Sequence, residues 1–244
     1  MNALDLPILI YLHDGQFQTG STQYIDGSIL SHVGNMIVVT VQYRLNIFGF
    51  LSLDSANETI GNYGLLDQQM AIEFVHQNAG TMGGNSSLIT IVGLEAGGSS
   101  VGHLLKSKSR SLISGAISML GVGKFQYPAP DTATLEKKLR QVCEVSFKMN
   151  NCDFGNGREF LTRFSQNLTM DSILSLVTFL NARFLPRPDD DSFFTQEPVT
   201  YNDSLSYMIL TTSVDGPLIQ PAASGQSLCS IYEGKFWNIL IIFN

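Results

Sequence analysis

The most constraining feature of the sequence is a short apolar run that leads directly into a cluster of glycines. Residues 87–92 read SLITIV, which is typical of a buried strand, and residues 93–98 read GLEAGG. Glycine permits backbone conformations and close approaches that other residues do not. The order therefore predicts a strand, a sharp turn and then a short helix near Ser99–Lys106. Such a unit requires a sheet with a helix packed directly against it.

Further strands and helices alternate through the first half of the chain. Three apolar runs have the composition of strands buried on both faces, namely 7–12 (PILIYL), 36–43 (MIVVTVQY) and 113–120 (ISGAISML). Residues 65–78 predict a helix. Leu66, Met70 and Phe74 recur there at helical spacing, so we expect them to form its buried face. The alternation predicts an α/β protein with a parallel sheet covered by helices.

The second half predicts more helices than strands. Helices are indicated over 133–143, 157–165 and 170–180. Residues 184–198 are expected to form a loop, because three prolines and an Asp-Asp-Asp run interrupt any periodicity. The chain stops on an apolar strand, 237–243, which suggests a domain whose C-terminal part is missing. Since no repeat or linker is visible, we expect residues 1–244 to form one partial domain.

The composition excludes several classes of protein. Apolar residues make up 44% of the chain and no low-complexity tract occurs, which excludes a disordered protein. The formal net charge is -7, whereas a nucleic-acid-binding surface needs clustered basic residues. The apolar runs are far shorter than the roughly 20 residues that cross a bilayer, so membrane attachment would need a segment outside this chain. The chain starts without a signal-peptide pattern.

Cysteines and sequons give limited information about the cellular compartment. Three cysteines are too few for a disulfide framework and lack the spacing of a structural zinc site. Cys143 and Cys152 could close a short loop, which would leave Cys229 unpaired. Candidate glycosylation sites are the asparagines of four Asn-x-Ser/Thr sequons: Asn57, Asn85, Asn167 and Asn202. We expect Asn57 to be glycosylated in the secretory pathway, because its surroundings read as an exposed loop.

The glycine cluster has the spacing of a catalytic turn but lacks its central residue. In a G-x-S-x-G turn, the serine nucleophile lies on a strained connection between a strand and a helix. The five positions here are Gly93, Leu94, Glu95, Ala96 and Gly97. A carboxylate therefore stands where the nucleophilic hydroxyl would be, and we expect a degenerate turn.

Four segments together resemble type-B carboxylesterases and cholinesterases, which have the α/β-hydrolase fold. They read YLHDGQFQTG (11–20), IVVTVQYRLNIFGFLS (37–52), GNYGLLDQQMAIEFVHQNAGTMGG (61–84) and ITIVGLEAGGSSV (89–101). Two later segments are similar to that family more weakly, SVDGPLI (213–219) and YEGKFWNILIIFN (232–244). Within the family, residues 24–40 look most like the neuroligins, which are adhesion proteins whose serine is also replaced. The resemblance implies an incomplete α/β-hydrolase fold.

The resemblance also implies where the catalytic groups would lie. The family uses a serine, a histidine and an acidic residue, together with backbone amides that bind the oxyanion. Its oxyanion segment corresponds here to His13, Asp14 and Gly15. Because Asp14 replaces a glycine and Glu95 the serine, only Gly15 and Ala96 remain as candidate oxyanion donors. The family's acid and histidine follow the segment similar to 232–244, so we expect both to be absent.

The function that the resemblance implies is recognition rather than catalysis. We expect a catalytically inactive domain without cofactor or metal, located at the cell surface or outside the cell. Its expected partner is another cell-surface protein, bound through loops 124–131 and 184–198, with Phe193 and Phe194 as apolar anchors. The oligomeric state stays open. One alternative is a degenerate or truncated carboxylesterase, and another is an active hydrolase with an unusual nucleophile.

The remaining polar residues allow further alternatives. Glu95 and Asp14 could form an acid–base pair or hold a cation. Two carboxylates about 6 Å apart repel each other by roughly 3 kcal/mol, however, and both would oppose a developing oxyanion. The Asp-Asp-Asp run at 189–191 is expected to be solvated, with calcium binding as the alternative. Ser99 and Ser100 follow the apex of the turn and are not expected to act as nucleophiles.

The four histidines suggest no metal or catalytic pair. We expect His13 to be a hydrogen-bonded turn residue, His32 to lie in a polar connection and His76 to be solvated on its helix. His103 follows Glu95 by eight residues, on the next helix. No two of these residues have the spacing of a metal-binding helix motif.

Overall fold

In the part of the chain that the structure describes, six parallel strands form one sheet. The strands are β1 (Leu6–Leu12), β2 (Ile37–Val41), β3 (Gly84–Leu94), β4 (Gly115–Met119), β5 (Ser206–Thr212) and β6 (Ile241–Phe243). They lie in the order β2-β1-β3-β4-β5-β6. This computed structural model describes residues 5–52, 61–121, 132–145, 169–180, 184–186, 205–212 and 241–243. The expected parallel α/β architecture is confirmed.

Six α-helices accompany the sheet within the same described residues. They are α1 (Ser28–Gly34), α2 (Asn46–Phe50), α3 (Tyr63–Asn78), α4 (Ala96–Leu104), α5 (Thr132–Val145) and α6 (Met170–Leu180). Helix α4 packs against β1, β3 and β4, and α3 packs against α4 and β3. Among the described residues, no helix combines the length and apolar character needed to cross a bilayer.

The core begins at the two central strands and extends into the helices of the second half. Ile8 and Ile10 of β1 are at most 1% exposed and lie opposite Ile89 and Ile91 of β3, which are fully buried. One face of β1 is fully buried and Leu9 and Tyr11 on the other face are half-buried, which fits its continuous apolar composition. The same apolar cluster includes residues of the last two helices, Leu135, Leu139, Ile173, Leu176 and Leu180. The described helices of the second half therefore pack on the same core as the sheet.

The order of the strands places a topological switch point at the carboxyl ends of β1 and β3, and the space outside these ends is called the crevice here. Strand β1 lies between β2 and β3, so the chain leaves β1 in one direction and leaves β3, toward β4, in the other. In open parallel sheets, ligands bind outside the carboxyl ends of the strands at such a switch point. Leu12 and Gly93 are register partners at these two ends. The segments that follow β1 and β3 are thus adjacent. They include the residues expected to matter for function.

The expected buried face of α3 is wrong for two of its three residues, since only Leu66 packs against the core. Met70 and Phe74 are 67% and 61% exposed, whereas Leu65 and Ile72 are fully buried. The face that packs inward also contains Gln68, whose Nε2 donates a hydrogen bond to Ser100 Oγ at 3.1 Å. A polar residue in the middle of the buried face interrupts the apolar pattern, and the exposed side carries large apolar residues instead. Tertiary contact with α4 decides which side is inside.

Three elements were not expected from the sequence. Helix α1 lies in a region rich in turn-forming residues, and none of its residues is buried. Helix α2 has only five residues, which is too short for a recognisable period. Strand β5 has a short apolar run and is defined by pairing with β4, where Met119 lies opposite Leu210. For α2 and β5 local propensity is weak, and packing or pairing with neighbouring elements supplies the stability.

Several expectations lie partly or wholly outside the described residues. The helix at 157–165 and the loop at 124–131 lie outside them, as do Phe193, Phe194 and the Asp-Asp-Asp run. Residues 184–186 are described, without regular structure, and all three are buried, so the expected loop begins inside the core. Of the strand expected at 237–243, residues Ile241–Phe243 are described and are indeed extended.

Candidate functional site

Glu95 lies at the apex of the connection between β3 and α4. Its backbone has φ 51° and ψ -107°, a conformation that L-residues rarely adopt. Such strain costs about 1–3 kcal/mol and persists only where the surroundings enforce it. The amide of Glu95 donates to the carbonyl of Met119 at 2.7 Å, which ties the apex to β4. The strained turn expected from the glycine spacing is present, although it carries no serine.

Close backbone contacts explain why glycines flank this apex. A Cβ atom at Gly97 would overlap the carbonyl oxygen of Leu12, and one at Gly93 would overlap the backbone of Gly97. Helix α4 therefore begins in direct contact with the ends of β1 and β3. Leu94 is half-buried at the end of β3, and Ala96, the first residue of α4, is 4% exposed.

The segment that follows β1 has an unusual backbone at three consecutive positions. Gly15, Gln16 and Phe17 have φ values of 108°, 56° and 62°. The conformation is stabilised by a hydrogen bond from the amide of Asn46 to the carbonyl of Phe17, at 2.7 Å. The Phe17 ring is 5% exposed and packs edge-on against Phe50, with centroids 5.0 Å apart. These contacts hold the segment over the crevice.

The Glu95 carboxylate is bound by the backbone of this segment. Its Oε2 accepts hydrogen bonds from the amide of Gly15 at 3.0 Å and from the amide of Gln16 at 3.2 Å. Gly15 was expected as an oxyanion donor, and its amide does face this position. Sequence reasoning missed Gln16, because a backbone amide leaves no side-chain pattern to detect. The place where the family resemblance puts an oxyanion is thus taken by a carboxylate oxygen of the chain itself.

The two carboxylates expected at this site differ in their surroundings. Asp14 is exposed, whereas Glu95 is half-buried and accepts two amide hydrogen bonds. Because Asp14 is solvated and Glu95 is hydrogen bonded, the two segments can each carry a carboxylate. Among the described residues, no group of three or more His, Cys, Asp or Glu side chains is arranged to hold a metal ion.

Tyr43 stabilises the site through its contacts with His13. Its ring is 3% exposed and stacks on the His13 ring, with centroids 4.3 Å apart, and its hydroxyl donates to the His13 carbonyl at 2.9 Å. Burial raises the pKa of Tyr43 well above its usual value, and the negative charges of Asp14 and Glu95 add to this. The hydroxyl therefore stays protonated and acts as a donor. Apart from its position at the end of a predicted strand, nothing in the sequence indicated a role for Tyr43.

His13 is partly satisfied, in agreement with its expected turn role. Its Nδ1 lies 2.7 Å from the carbonyl oxygen of Asp14, which can only accept, so Nδ1 carries the proton. The side chain is 1% exposed, and Nε2 has no hydrogen-bond partner among the described residues. The ring is therefore fixed between Tyr43 and the backbone, where it orients the start of the segment.

The other histidines are spread over three helices. His32 was expected in a connection but lies on α1 and is exposed, while His76 on α3 is half-buried rather than solvated. His103 on α4 is 1% exposed, and burial, with a contribution from the charge of Lys106, lowers its pKa to about 3. All four histidines of the chain fall within the described residues, and none of them hydrogen bonds to Glu95 there.

The two serines after the apex are buried in α4, away from the expected nucleophile position. Ser99 is 4% exposed and Ser100 is fully buried, and Ser100 accepts its hydrogen bond from Gln68.

Of the sequons, Asn85 is half-buried at the start of β3 and its Oδ1 accepts from the Ser87 amide at 2.7 Å. The other three sequon asparagines lie outside the described residues, namely Asn57, Asn167 and Asn202. Cys152 and Cys229 also lie outside them. Cys143 falls within α5.

Comparisons with known proteins agree with this geometry. The family model described as the carboxylesterase family matches residues 2–228. The crystal structure of a Geobacillus stearothermophilus carboxylesterase matches the fold with a TM-score of 0.71 at 29% sequence identity, over 87% of this chain and 45% of that one. The likeness confirms the expectation of an α/β-hydrolase fold with a central parallel sheet.

Similar curated proteins include both enzymes and a neuroligin-like protein. Acetylcholinesterase from Bungarus fasciatus is 34% identical over 203 residues, which cover 80% of this chain and 33% of that protein. A neuroligin-like protein of Caenorhabditis elegans is 46% identical over 116 residues, which cover 47% of this chain and 16% of that protein. The chain thus spans about a third or less of the length of these relatives.

Proposed function

The chain belongs to the carboxylesterase family, and we propose that it is a non-hydrolytic member that serves in protein recognition at the cell surface. The observation that carries the first part is the position of Glu95. Its side chain replaces the serine at a strained apex, and its carboxylate accepts the amides of Gly15 and Gln16. Glu95 therefore stands at the position of the nucleophile, and its carboxylate also occupies the amides that would bind the oxyanion of a hydrolase site.

Electrostatics explains why this arrangement opposes ester hydrolysis. Acyl transfer depends on amides that stabilise a negative oxygen in the transition state, and loss of one such donor lowers the rate by about 100-fold or more. Here a carboxylate oxygen occupies two donors and adds a negative charge beside the reacting carbonyl. Among the described residues, no histidine hydrogen bonds to Glu95, so no such bond indicates a base that would activate a nucleophile there.

We expect the purified 244-residue chain to hydrolyse aryl esters no faster than buffer, and Glu95→Ser not to restore activity. A serine without a neighbouring base is a weak nucleophile at neutral pH. Release of p-nitrophenol from short-chain esters measures turnover, and labelling by a fluorophosphonate probe measures an activated serine. The matched control is Glu73→Ala, a glutamate on α3 that hydrogen bonds to Gln69 away from the apex. Turnover that is retained in Glu73→Ala and lost in Glu95→Ala would show an active site built on Glu95.

The recognition role is supported by exposed apolar side chains and by the neuroligin-like similarity. Tyr24, Ile29 and Val33 are 85%, 75% and 78% exposed within ten consecutive residues. They fall in the stretch 24–40, which most resembles the neuroligins. Exposed apolar surface is typical of protein-binding sites. An extracellular partner and location are part of this proposal, and the alternative is a carboxylesterase lineage member without its own activity.

A screen against cell-surface ectodomains tests this role. We expect a partner whose affinity falls about tenfold or more, which corresponds to about 1.4 kcal/mol, in the double variant Ile29→Ser/Val33→Ser. Alanine at 189–194 tests the loop predicted from sequence, and Glu95→Ala tests the crevice. Binding that survives both surface changes but is lost in Glu95→Ala would place recognition in the crevice. Failure of every ectodomain to bind would favour the degenerate esterase.

A further inference from the structure

The pairing of β1 with β3 is interrupted near the amino ends of the two strands. Leu6 of β1 lies opposite Gly84 of β3. The next register pair is Ile8 with Ile89, so a short step along β1 corresponds to a much longer one along β3. Residues 85–88 are therefore looped out of the ladder between these two strands and form a bulge. This bulge, defined here as residues 85–88, is held at both ends by the sheet.

The bulge contains the sequon of Asn85, whose hydroxyl residue is Ser87. Oδ1 of Asn85 accepts a hydrogen bond from the Ser87 amide at 2.7 Å, which is a turn that asparagine commonly forms with its own backbone. Because an amide N–H can only donate, this bond engages the oxygen and leaves both protons on Nδ2. Among the described residues, Nδ2 makes no hydrogen bond. The nitrogen that a glycan would modify is thus available.

The surroundings of the bulge leave room for a bulky group. Leu88 is 44% exposed within the bulge, and Met82, just before it, is 39% exposed. A Cβ atom added at Gly80 or Gly83 would meet nothing within 4 Å. N-linked glycans are bulky and belong on surfaces of this kind. The folded chain can therefore hold an oligosaccharide at this position without displacing a neighbouring element.

We propose that Asn85 carries an N-linked oligosaccharide. The inference rests on the location given in the proposed function, because a chain meets the lipid-linked sugar donor only in the secretory pathway. In the transfer, Nδ2 gives up one proton to the transferase and bonds to C1 of the first sugar. The bond from C1 to the diphosphate of the lipid carrier breaks, and the lipid diphosphate leaves with the electron pair. Because the bulge lies at the amino ends of parallel strands, the glycan is at the opposite end of the sheet from the crevice.

The test translates the full chain behind a cleavable signal peptide in the presence of microsomes. Removal of the signal peptide shows that the chain has entered the lumen. Peptide-N-glycosidase F then releases the glycan in water labelled with heavy oxygen, which converts a glycosylated asparagine into labelled aspartate. No Lys or Arg lies between Arg44 and Lys106, so chymotrypsin rather than trypsin is used to separate Asn57 from Asn85 before mass spectrometry. We expect the label at Asn85 of the unaltered chain.

Two serine variants separate the sequon from the shape of the bulge. Ser87→Ala removes the hydroxyl that the sequon requires but keeps the backbone amide that binds Asn85 Oδ1, so we expect the label at Asn85 to be lost. Ser86→Ala is the matched control, because it leaves the sequon intact, and its labelling should equal that of the unaltered chain. Endoglycosidase H should release the glycan at Asn85 without denaturant, since the bulge is open to solvent.

Three results would overturn the inference. They are an unlabelled Asn85 in the imported chain, a label that persists in Ser87→Ala, and a glycan that endoglycosidase H releases only after denaturation. None of them would count against the proposed location, because the added signal peptide brings the chain into the lumen. Conversely, cytosolic retention of the natural protein would overturn that location, and the label at Asn85 of the imported chain would still confirm the acceptor site.

Discussion

Replacement of Phe50 by alanine is expected to lower the free energy of unfolding by about 3–5 kcal/mol. Phe50 ends α2, is 1% exposed and belongs to the central apolar cluster. Its removal leaves a cavity that the sheet and α3 cannot readily fill, in addition to the lost burial of the ring. It also deprives Phe17 of its edge-on partner. Urea unfolding followed by circular dichroism gives the midpoint and slope from which this difference is measured.

The same helix offers a matched control for this prediction. Phe48 lies two residues earlier on α2 and is 37% exposed. Its replacement by alanine removes the same atoms but leaves a smaller cavity, so the expected loss is well below that of Phe50→Ala. Equal losses for the two variants would mean that burial does not decide the effect. Since Phe17 directly follows Gly15 and Gln16 and packs on Phe50, Phe50→Ala should also accelerate hydrogen exchange at the Gly15 and Gln16 amides, whereas Phe48→Ala should not.

The sequence was sufficient to predict the strands of the first half. The runs at 7–12, 36–43, 87–92 and 113–120 correspond to β1, β2, β3 and β4. These strands consist largely of buried and half-buried residues, and in β1 the two alternate, so their apolar composition distinguishes them from surface segments. The strained turn was also predictable, because close contact between Gly97 and Leu12 excludes larger residues. Steric requirements of this kind leave a direct trace in the sequence.

The inward face of α3 could not be predicted in the same way. Its buried side includes Gln68, which is stabilised by a hydrogen bond to Ser100 from a different element. Periodicity measures apolarity along one helix and does not register a polar residue whose partner lies elsewhere. The large exposed residues Met70 and Phe74 then favoured the opposite side. Helix α1, none of whose residues is buried, likewise has no buried face to detect.

The contacts of the candidate site were predictable only in part. Glu95, Gly15 and Asp14 were identified by position, but the state of their carboxylates depends on tertiary structure. Backbone amides bind Glu95, while Asp14 points to solvent, and residue types alone do not distinguish these outcomes. The contribution of Tyr43 depends on the adjacency of β1 and β2, which places it beneath His13. Sequence motifs located the site, and packing determines its chemistry.

His103 is expected to make the fold less stable as the pH falls. It is buried in α4 with a pKa of about 3, caused first by burial and then by the charge of Lys106. An unfolded chain has a histidine pKa near 6.5, so between about pH 6.5 and pH 3 only the unfolded state binds this proton. Stability is thus complete above pH 6.5 and declines by about 1.4 kcal/mol per pH unit below it, or about 2 kcal/mol between pH 7 and pH 5.

The contribution of His103 can be separated from that of other titrating groups by comparing slopes. We expect His103→Gln to be less stable at pH 7, because the core must accept an amide, but to lose about 2 kcal/mol less than wild type between pH 7 and pH 5. His32→Gln is the matched control, since His32 is exposed on α1 and its replacement should leave the wild-type slope unchanged. Urea midpoints measured at several pH values supply these slopes. Parallel curves for wild type and His103→Gln would mean that His103 becomes protonated in the folded protein, and that α4 admits the charge that its burial is expected to exclude.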